Sequence, residues 1–239
     1  MQQLTLFSKE SRSSRGNTNK RIRRNVRLAQ ANVARWDLWT QETEAEKEMA
    51  LFFLDIRNFT PLVAKHQAFD VIHIVKKLFS TFQNIIRIHH GRIIETSGDG
   101  FYAAFGFDGE VKDAVNAAVE SGQAILKILE NLNARSFEKN LHQRIDVGIG
   151  VHVGKVATGN LQLGSRDHFV VMGYPVNVAS RLQAATKELN NNFIVSSAVF
   201  NALRNPLRNN EPVKVNLKGV TDPCELHLIG RAYEKAVGF

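Results

Sequence analysis

The apolar pattern of this 239-residue chain changes period several times, and each change marks an element. Residues 49–56 open with six consecutive apolar positions, which predicts a buried strand. Residues 69–90 carry Ile72, Val75, Phe79, Phe82 and Ile86 at steps of three and four, a helix that Gly91 is placed to end. Residues 92–95 and 101–107 flank the turn Ser97-Gly98-Asp99-Gly100 and predict a hairpin. A second long helix is predicted over 113–132. Residues 144–157 alternate Ile145, Val147, Ile149, Val151 and Val153, the period of a long strand. A strand at 169–172, a helix at 175–188 and a strand at 193–196 follow. Residues 213–218 and 224–229 are expected to close the chain as a strand pair. The order strand, helix, strand, strand, helix, strand predicts an α+β fold with a ferredoxin-like βαββαβ core and additional C-terminal strands.

The folded body is expected to span 48–239. Residues 1–19 are rich in Ser, Asn and Gln with little to bury, and are expected to be a disordered basic tail. Their make-up overlaps with that of a transit peptide, but no compelling amphipathic segment opens the chain. Over 20–47 a helical extension is expected, because Ile22, Val26, Ala29, Val33 and Trp36 recur at steps of four and three. Arg21, Arg23, Arg24 and Arg27 lie off that stripe. The extension is open to two readings: a packing or dimerisation helix, or a basic arm for an anionic partner or membrane surface.

Charge sharpens this division. Residues 1–36 hold nine of the 31 Lys and Arg and one of the 23 acids, so they carry the whole net charge of +8. The remaining 203 residues are neutral, and no nucleic-acid partner is expected, since a groove-binding domain carries its basic patch on the folded core. The 44% hydrophobic and 23% charged content excludes collagen-like, wholly disordered and disulfide-scaffold classes. No stretch approaches the roughly 18 apolar residues of a membrane span. The one cysteine, Cys224, precludes an intrachain disulfide and fits a reducing compartment, so a cytoplasmic location is expected.

Two carboxylates are the chief candidates for chemistry. Asp55 falls where the first apolar strand meets a turn, and Asp99 at the tip of the hairpin. In the predicted core these elements are neighbours, so both acids can face one point, where a hard divalent cation would relieve their repulsion. The bland reading, a turn residue and a strand-end cap, stays open on spacing alone. Gly148-x-Gly150-x-x-x-Gly154 misses the dinucleotide fingerprint by one residue and lies in a strand pattern. No phosphate-loop Gly-Lys-Ser/Thr, no HExxH and no nucleophile elbow is present. The eight histidines, including the adjacent His89 and His90, are expected at the surface or at helix ends.

Three segments together are distinctive: Phe53-Leu54-Asp55-Ile56-Arg57-Asn58-Phe59-Thr60, Glu95-Thr96-Ser97-Gly98-Asp99-Gly100-Phe101, and Gly173-Tyr174-Pro175-Val176-Asn177-Val178-Ala179-Ser180-Arg181. In this order they resemble the catalytic domain of class III nucleotidyl cyclases, from about residue 50 to 231. The resemblance implies conversion of a nucleoside triphosphate to a 3′,5′-cyclic nucleotide and pyrophosphate. It implies that Asp55 and Asp99, with the Ile56 backbone carbonyl, hold two Mg²⁺ or Mn²⁺ ions that clamp an in-line displacement. Asn177 would orient the ribose, and Arg181 would stabilise charge on the α-phosphate. Lys218 would meet the terminal phosphates, and the Asn58-Phe59-Thr60 turn would offer backbone N–H groups to them. It also implies a head-to-tail homodimer, with the acids from one chain and Asn177, Arg181 and Lys218 from the other. On spacing alone, Asn177 and Arg181 at i, i+4 equally suit a solvated helix face.

Two positions bear on the base. Glu95 stands where adenylate-type members have Lys, and a carboxylate only accepts hydrogen bonds, so ATP is not expected to be preferred. Glu at this place resembles guanylate cyclases, which slightly favours GTP. Val170, three residues before Gly173, offers no side-chain hydrogen bond to guanine O6. A pyrimidine triphosphate is therefore the alternative, as in short stand-alone cyclases that make cyclic UMP or cyclic CMP as second messengers in bacterial anti-phage defence. A nucleotide-binding domain without turnover is the reading from another class. Asn58 stands where the family commonly has Gly, and Asn tolerates left-handed backbone angles better than most residues.

Overall fold

The computed structural model describes residues 45–138, 143–163, 166–206 and 210–233. The expected tail at 1–19, and the expected helical extension up to residue 44, lie outside them. Strand β1 (Ala45–Ile56) leads into helix α1 (Phe59–Lys65), helix α2 (Ala68–Ile88) and the hairpin β2 (Arg92–Ser97) and β3 (Gly100–Phe105). Helix α3 (Val111–Leu132) ends in a π-helical turn, Asn133–Phe137. Strands β4 (Val147–Leu163) and β5 (Arg166–Met172), helix α4 (Tyr174–Glu188), strand β6 (Phe193–Ser196) and helix α5 (Ser197–Ala202) follow. Strands β7 (Val213–Val215) and β8 (Cys224–Leu228) complete one eight-stranded sheet. Its order is β2-β3-β1-β4-β6-β8-β7, with β5 paired to β4 off this path. The run β2-β3-β1-β4 is the ferredoxin-like order, as expected.

β1 is central, and its uninterrupted apolar run is explained by burial on both faces. Ala50, Phe52, Leu54 and Ile56 pack with Leu78, Phe82 and Ile86 of α2 and Val115, Ala118 and Ile125 of α3. Met49 and Leu51, on the opposite face, pack with Val171 of β5 and Ala179 of α4. Asp55, at alternate spacing from Met49 and Leu51, shares this second face. Among the described residues no helix is long and apolar enough to cross a membrane.

Several expected boundaries and faces need correction. β1 starts at Ala45, so residues 45–47, placed in the helical extension by sequence, are strand: Glu46 and Lys47 pair with Ala157 and Val156 of β4. β4 starts at Val147, not 144, and continues to Leu163, because residues 157–163 are held by a ladder with β5 despite their polar, turn-like composition. The buried stripe of α2 runs through Val71, Leu78, Phe82 and Ile85, and Ile72 lies outside it at 62% exposure. At the end of α2 the left-handed residue is His90 (φ 60°), not Gly91. Gly91 is required for another reason: a Cβ there would enter the Phe105 ring. α1 and α5 carry no periodic signal long enough to be read.

Phe52 is fully buried between the Phe101 and Phe105 rings, at centroid distances of 6.2 Å each. Phe52→Ala is expected to cost about 3–5 kcal/mol of stability, read as a lower midpoint in urea unfolding.

Candidate active site

The site begins with strand register. Asp55, next to last in β1, lies opposite Gly100 on β3 and Gly148 on β4, so neither neighbouring strand covers it with a side chain. A Cβ at Gly100 would come within 2.8 Å of the Leu54 carbonyl and 3.3 Å of Asp55 Oδ1. The hairpin tip turns on Gly98 (φ 56°), and the Ile56 N–H donates to the Asp99 carbonyl at 3.0 Å. This bond ties the tip to the end of β1 and places the two acids together.

The electrostatics follow from that placement. Burial pushes the Asp55 carboxyl above its usual range, the nearby Asp99 charge adds to the rise, and Arg57 opposes it. A carboxyl whose charge is disfavoured in this way, with a second carboxylate beside it, suits a divalent cation. Among the described residues no group of three or more His, Cys, Asp or Glu converges. Two carboxylates and a carbonyl are a sparse set, which suits Mg²⁺ or Mn²⁺ completed by water and phosphate oxygens rather than Zn²⁺ or Ca²⁺.

Arg57 belongs to this site and was missed by sequence reasoning. Its Nη1 lies 3.9 Å from Asp55 Oδ2, and its Nη2 donates to Thr186 Oγ1 at 3.0 Å and the Gln183 carbonyl at 3.4 Å, both on α4. It crosses the gap left by Gly148, where any Cβ would collide with Arg57 Nη2 and Thr186 Oγ1. The available signal was a cationic side chain two residues after Asp55, in the turn that ends β1. Asn58 follows in the left-handed region (φ 54°, ψ 34°) and begins α1. Phe59 and Thr60 form its first turn, where backbone N–H groups have no acceptor within the helix.

α4 is seated on β4 by the glycine row rejected as a phosphate loop. A Cβ at Gly150 would strike the Gln183 backbone, and one at Gly154 would lie 2.6 Å from Pro175. With Val178, Ala179 and Leu182 buried beneath it, α4 holds Asn177 and Arg181 out to solvent. Among the described residues neither side chain makes a hydrogen bond or ion pair. Lys218 is exposed in a turn closed by Val220 N–H to the Leu217 carbonyl at 3.1 Å. Leu217 is buried against Val178 and Leu182, so the turn bearing Lys218 rests on the helix bearing Asn177 and Arg181.

Glu95 pairs with Tyr102 across β2 and β3, and Tyr102 pairs with Phe53 across β3 and β1. Cross-strand partners share a face, so Glu95, Tyr102 and Phe53 form a row on the face that also carries Asp55. Val170 is half-buried on β5. Two histidines depart from expectation. His152 is buried, its Nδ1 lies 2.8 Å from Ser196 Oγ, and burial pushes it down to about 4. His227 is buried and stacked on Phe200 at 3.7 Å. His89 and His90 do lie at the end of α2.

Residues 41–230 match the family model for the adenylate and guanylate cyclase catalytic domain, and the chain belongs to that family. An adenylate cyclase from Anabaena cylindrica is 30% identical over 160 residues, 67% of this chain and 32% of that protein. The chain thus spans about a third of that relative's length. The guanylyl cyclase Cya2 superposes with TM-score 0.70 at 25% identity, covering 80% of this chain and 95% of the other. The adenylyl cyclase CyaB from P. aeruginosa superposes with TM-score 0.70 at 21% identity, covering 82% and 100%, a likeness of fold.

The raised Asp55 pKa has a consequence for the metal-free protein. Asp55 holds its proton more tightly folded than unfolded, so the wild type loses stability as pH rises through the folded pKa. Asp99→Asn removes part of the cause. In chelator at neutral pH it is expected to stabilise by up to about 1 kcal/mol, the scale of a partly exposed charge pair, and the gain should vanish as Asp55 protonates on acidification. Urea unfolding across pH measures both.

Proposed function

We propose that this chain is a nucleotidyl cyclase that joins the ribose 3′-oxygen of a nucleoside triphosphate to its own α-phosphorus and releases pyrophosphate. The observation that carries this reading is the pairing of Asp55 and Asp99 at one sheet edge through the Ile56–Asp99 backbone bond. Two divalent cations bound there would lower the pKa of the 3′-hydroxyl and neutralise the phosphates. Asp55, Asp99 and the Ile56 carbonyl are the residues assigned to hold them. The backbone N–H groups of Asn58, just before α1, and of Phe59 and Thr60 in its first turn are assigned to the triphosphate, and Lys218 to its terminal phosphates. Arg181 offsets charge developing on the α-phosphate, and Asn177 orients the ribose.

Asn177, Arg181 and Lys218 sit together on or against α4 and face outward, which supports their use on a second copy of the chain. Exposed Leu161, Met172 and Tyr174, on β4, on β5 and at the start of α4, supply apolar surface for such a head-to-tail homodimer. Glu95 accepts hydrogen bonds only, which favours the N1–H and N2–H₂ edge of guanine and disfavours adenine. A second reading rests on Val170: with no donor for guanine O6, the site also suits a pyrimidine triphosphate, with uracil N3–H or cytosine N4–H₂ given to Glu95. Such a product would serve as a second messenger, including in anti-phage defence.

Purified protein with Mn²⁺ and each of the four triphosphates in turn is expected to cyclise GTP best, or UTP or CTP under the second reading. A clear preference for ATP would defeat the assignment of Glu95. Asp99→Ala is expected to lower turnover by at least about 10²–10³-fold with the dimer intact. Retained cyclic nucleotide formation would defeat the metal assignment.

A further inference from the structure

Among the described residues β5 pairs only with β4 in the sheet, whereas β2 is the far edge strand, separated from β4 by β3 and β1. β5 nevertheless reaches the β2–β3 hairpin over the sheet face, and two side chains fasten it there. The Tyr102 hydroxyl donates to the Val171 carbonyl at 3.1 Å. The Arg92 guanidinium lies over the rings of Phe107 and Phe169, at 4.9 and 5.1 Å. Phe169 and Val171 are the two neighbours of Val170, so the backbone on either side of Val170 is held to the hairpin that carries Glu95. Tyr102 is itself fixed, because its ring stacks on Phe53 at 5.0 Å with an interplanar angle of 10°. Its register partner is Glu95.

We propose that Tyr102 is a specificity-positioning residue: its hydroxyl sets the distance between Glu95 and Val170, so that one protomer alone builds a base pocket of fixed width. This rests on the reading of Glu95 and Val170 as the base-facing residues. With its hydrogen committed to Val171, the phenol leaves only a lone pair for a neighbouring group. Tyr102 and Glu95 together then present acceptors and no donor, which suits a base edge rich in N–H. Burial and the Glu95 charge both raise the Tyr102 pKa, which keeps the hydroxyl protonated and the brace made.

Tyr102→Phe keeps the ring and its stack and removes the brace. The test is kcat/KM for all four triphosphates with Mn²⁺, in wild type, Tyr102→Phe, Arg92→Gln and Glu95→Ala. Tyr102→Phe is expected to contract the ratio of the preferred to the next base by about 5–10-fold, the scale of one hydrogen bond, chiefly through KM of the preferred substrate. Arg92→Gln, which frees the other neighbour of Val170, is expected to move the ratio the same way. Equal losses on all four substrates in Tyr102→Phe would make its role merely structural and overturn the proposal. An unchanged ratio in Tyr102→Phe beside a collapsed ratio in Glu95→Ala would overturn it while leaving the base reading in place. An unchanged ratio in Glu95→Ala would remove the base reading and the proposal with it.

Discussion

The placement of Asp55 and Asp99 at the end of the central strand is the constraint around which the rest of the structure is arranged. A chain free to relax would separate two carboxylates, and this one cannot. Asp55 is committed by the register of the central strand, whose alternate residues are buried on both faces. Asp99 is committed by a hairpin tip bonded through its carbonyl to the Ile56 N–H. Glycines at 100 and 148 keep the flanking strands from filling the space, and Arg57 offsets part of the charge from one side. A site that costs stability when empty and gains it from a divalent cation is the expected result.

The same economy of side chains governs α4. Three positions of β4, Gly148, Gly150 and Gly154, are bare so that the Arg57 guanidinium, the Gln183 backbone and Pro175 can lie close to the sheet. The helix is thereby seated firmly enough to hold Asn177 and Arg181 toward solvent, and it supports Leu217 beneath the turn bearing Lys218. Arg57 links this helix to Asp55 within the protomer. Under the proposed dimer, that link joins the metal-binding half of one site to the phosphate-binding half of the other.

Much of this was legible in the sequence, for identifiable reasons. The apolar run before Asp55, the alternation from Ile145 to Val151 and the four-residue Ser97–Gly100 turn are local patterns, and local patterns survive folding. The ferredoxin-like strand order followed from them. Asn58, flagged as standing where the family commonly has Gly, is left-handed, a conformation that Asn tolerates. The failures came where long-range contact decided the outcome. The polar end of β4 is strand because β5 lies beside it. Gly91 answers to a ring on β3, not to its own φ. The glycine row of β4 signalled helix docking instead of phosphate, and Arg57 and Tyr102 act through partners more than 60 residues away. His152 and His227 were expected at the surface because no metal-ligand spacing gave them a role inside, but each has a partner inside.

The central claim is that the carboxylate pair of one chain works with Asn177 and Arg181 of another. Mixing two separately inactive variants, Asp99→Ala and Arg181→Ala, tests it directly, because a head-to-tail heterodimer of the two contains one intact site. Cyclase activity should reappear on mixing and approach about a quarter of the wild-type level at equal ratio, from random pairing of subunits. If the mixture stays as inactive as its components while subunit exchange is verified by labelled chains, the two half-sites do not meet and the account fails.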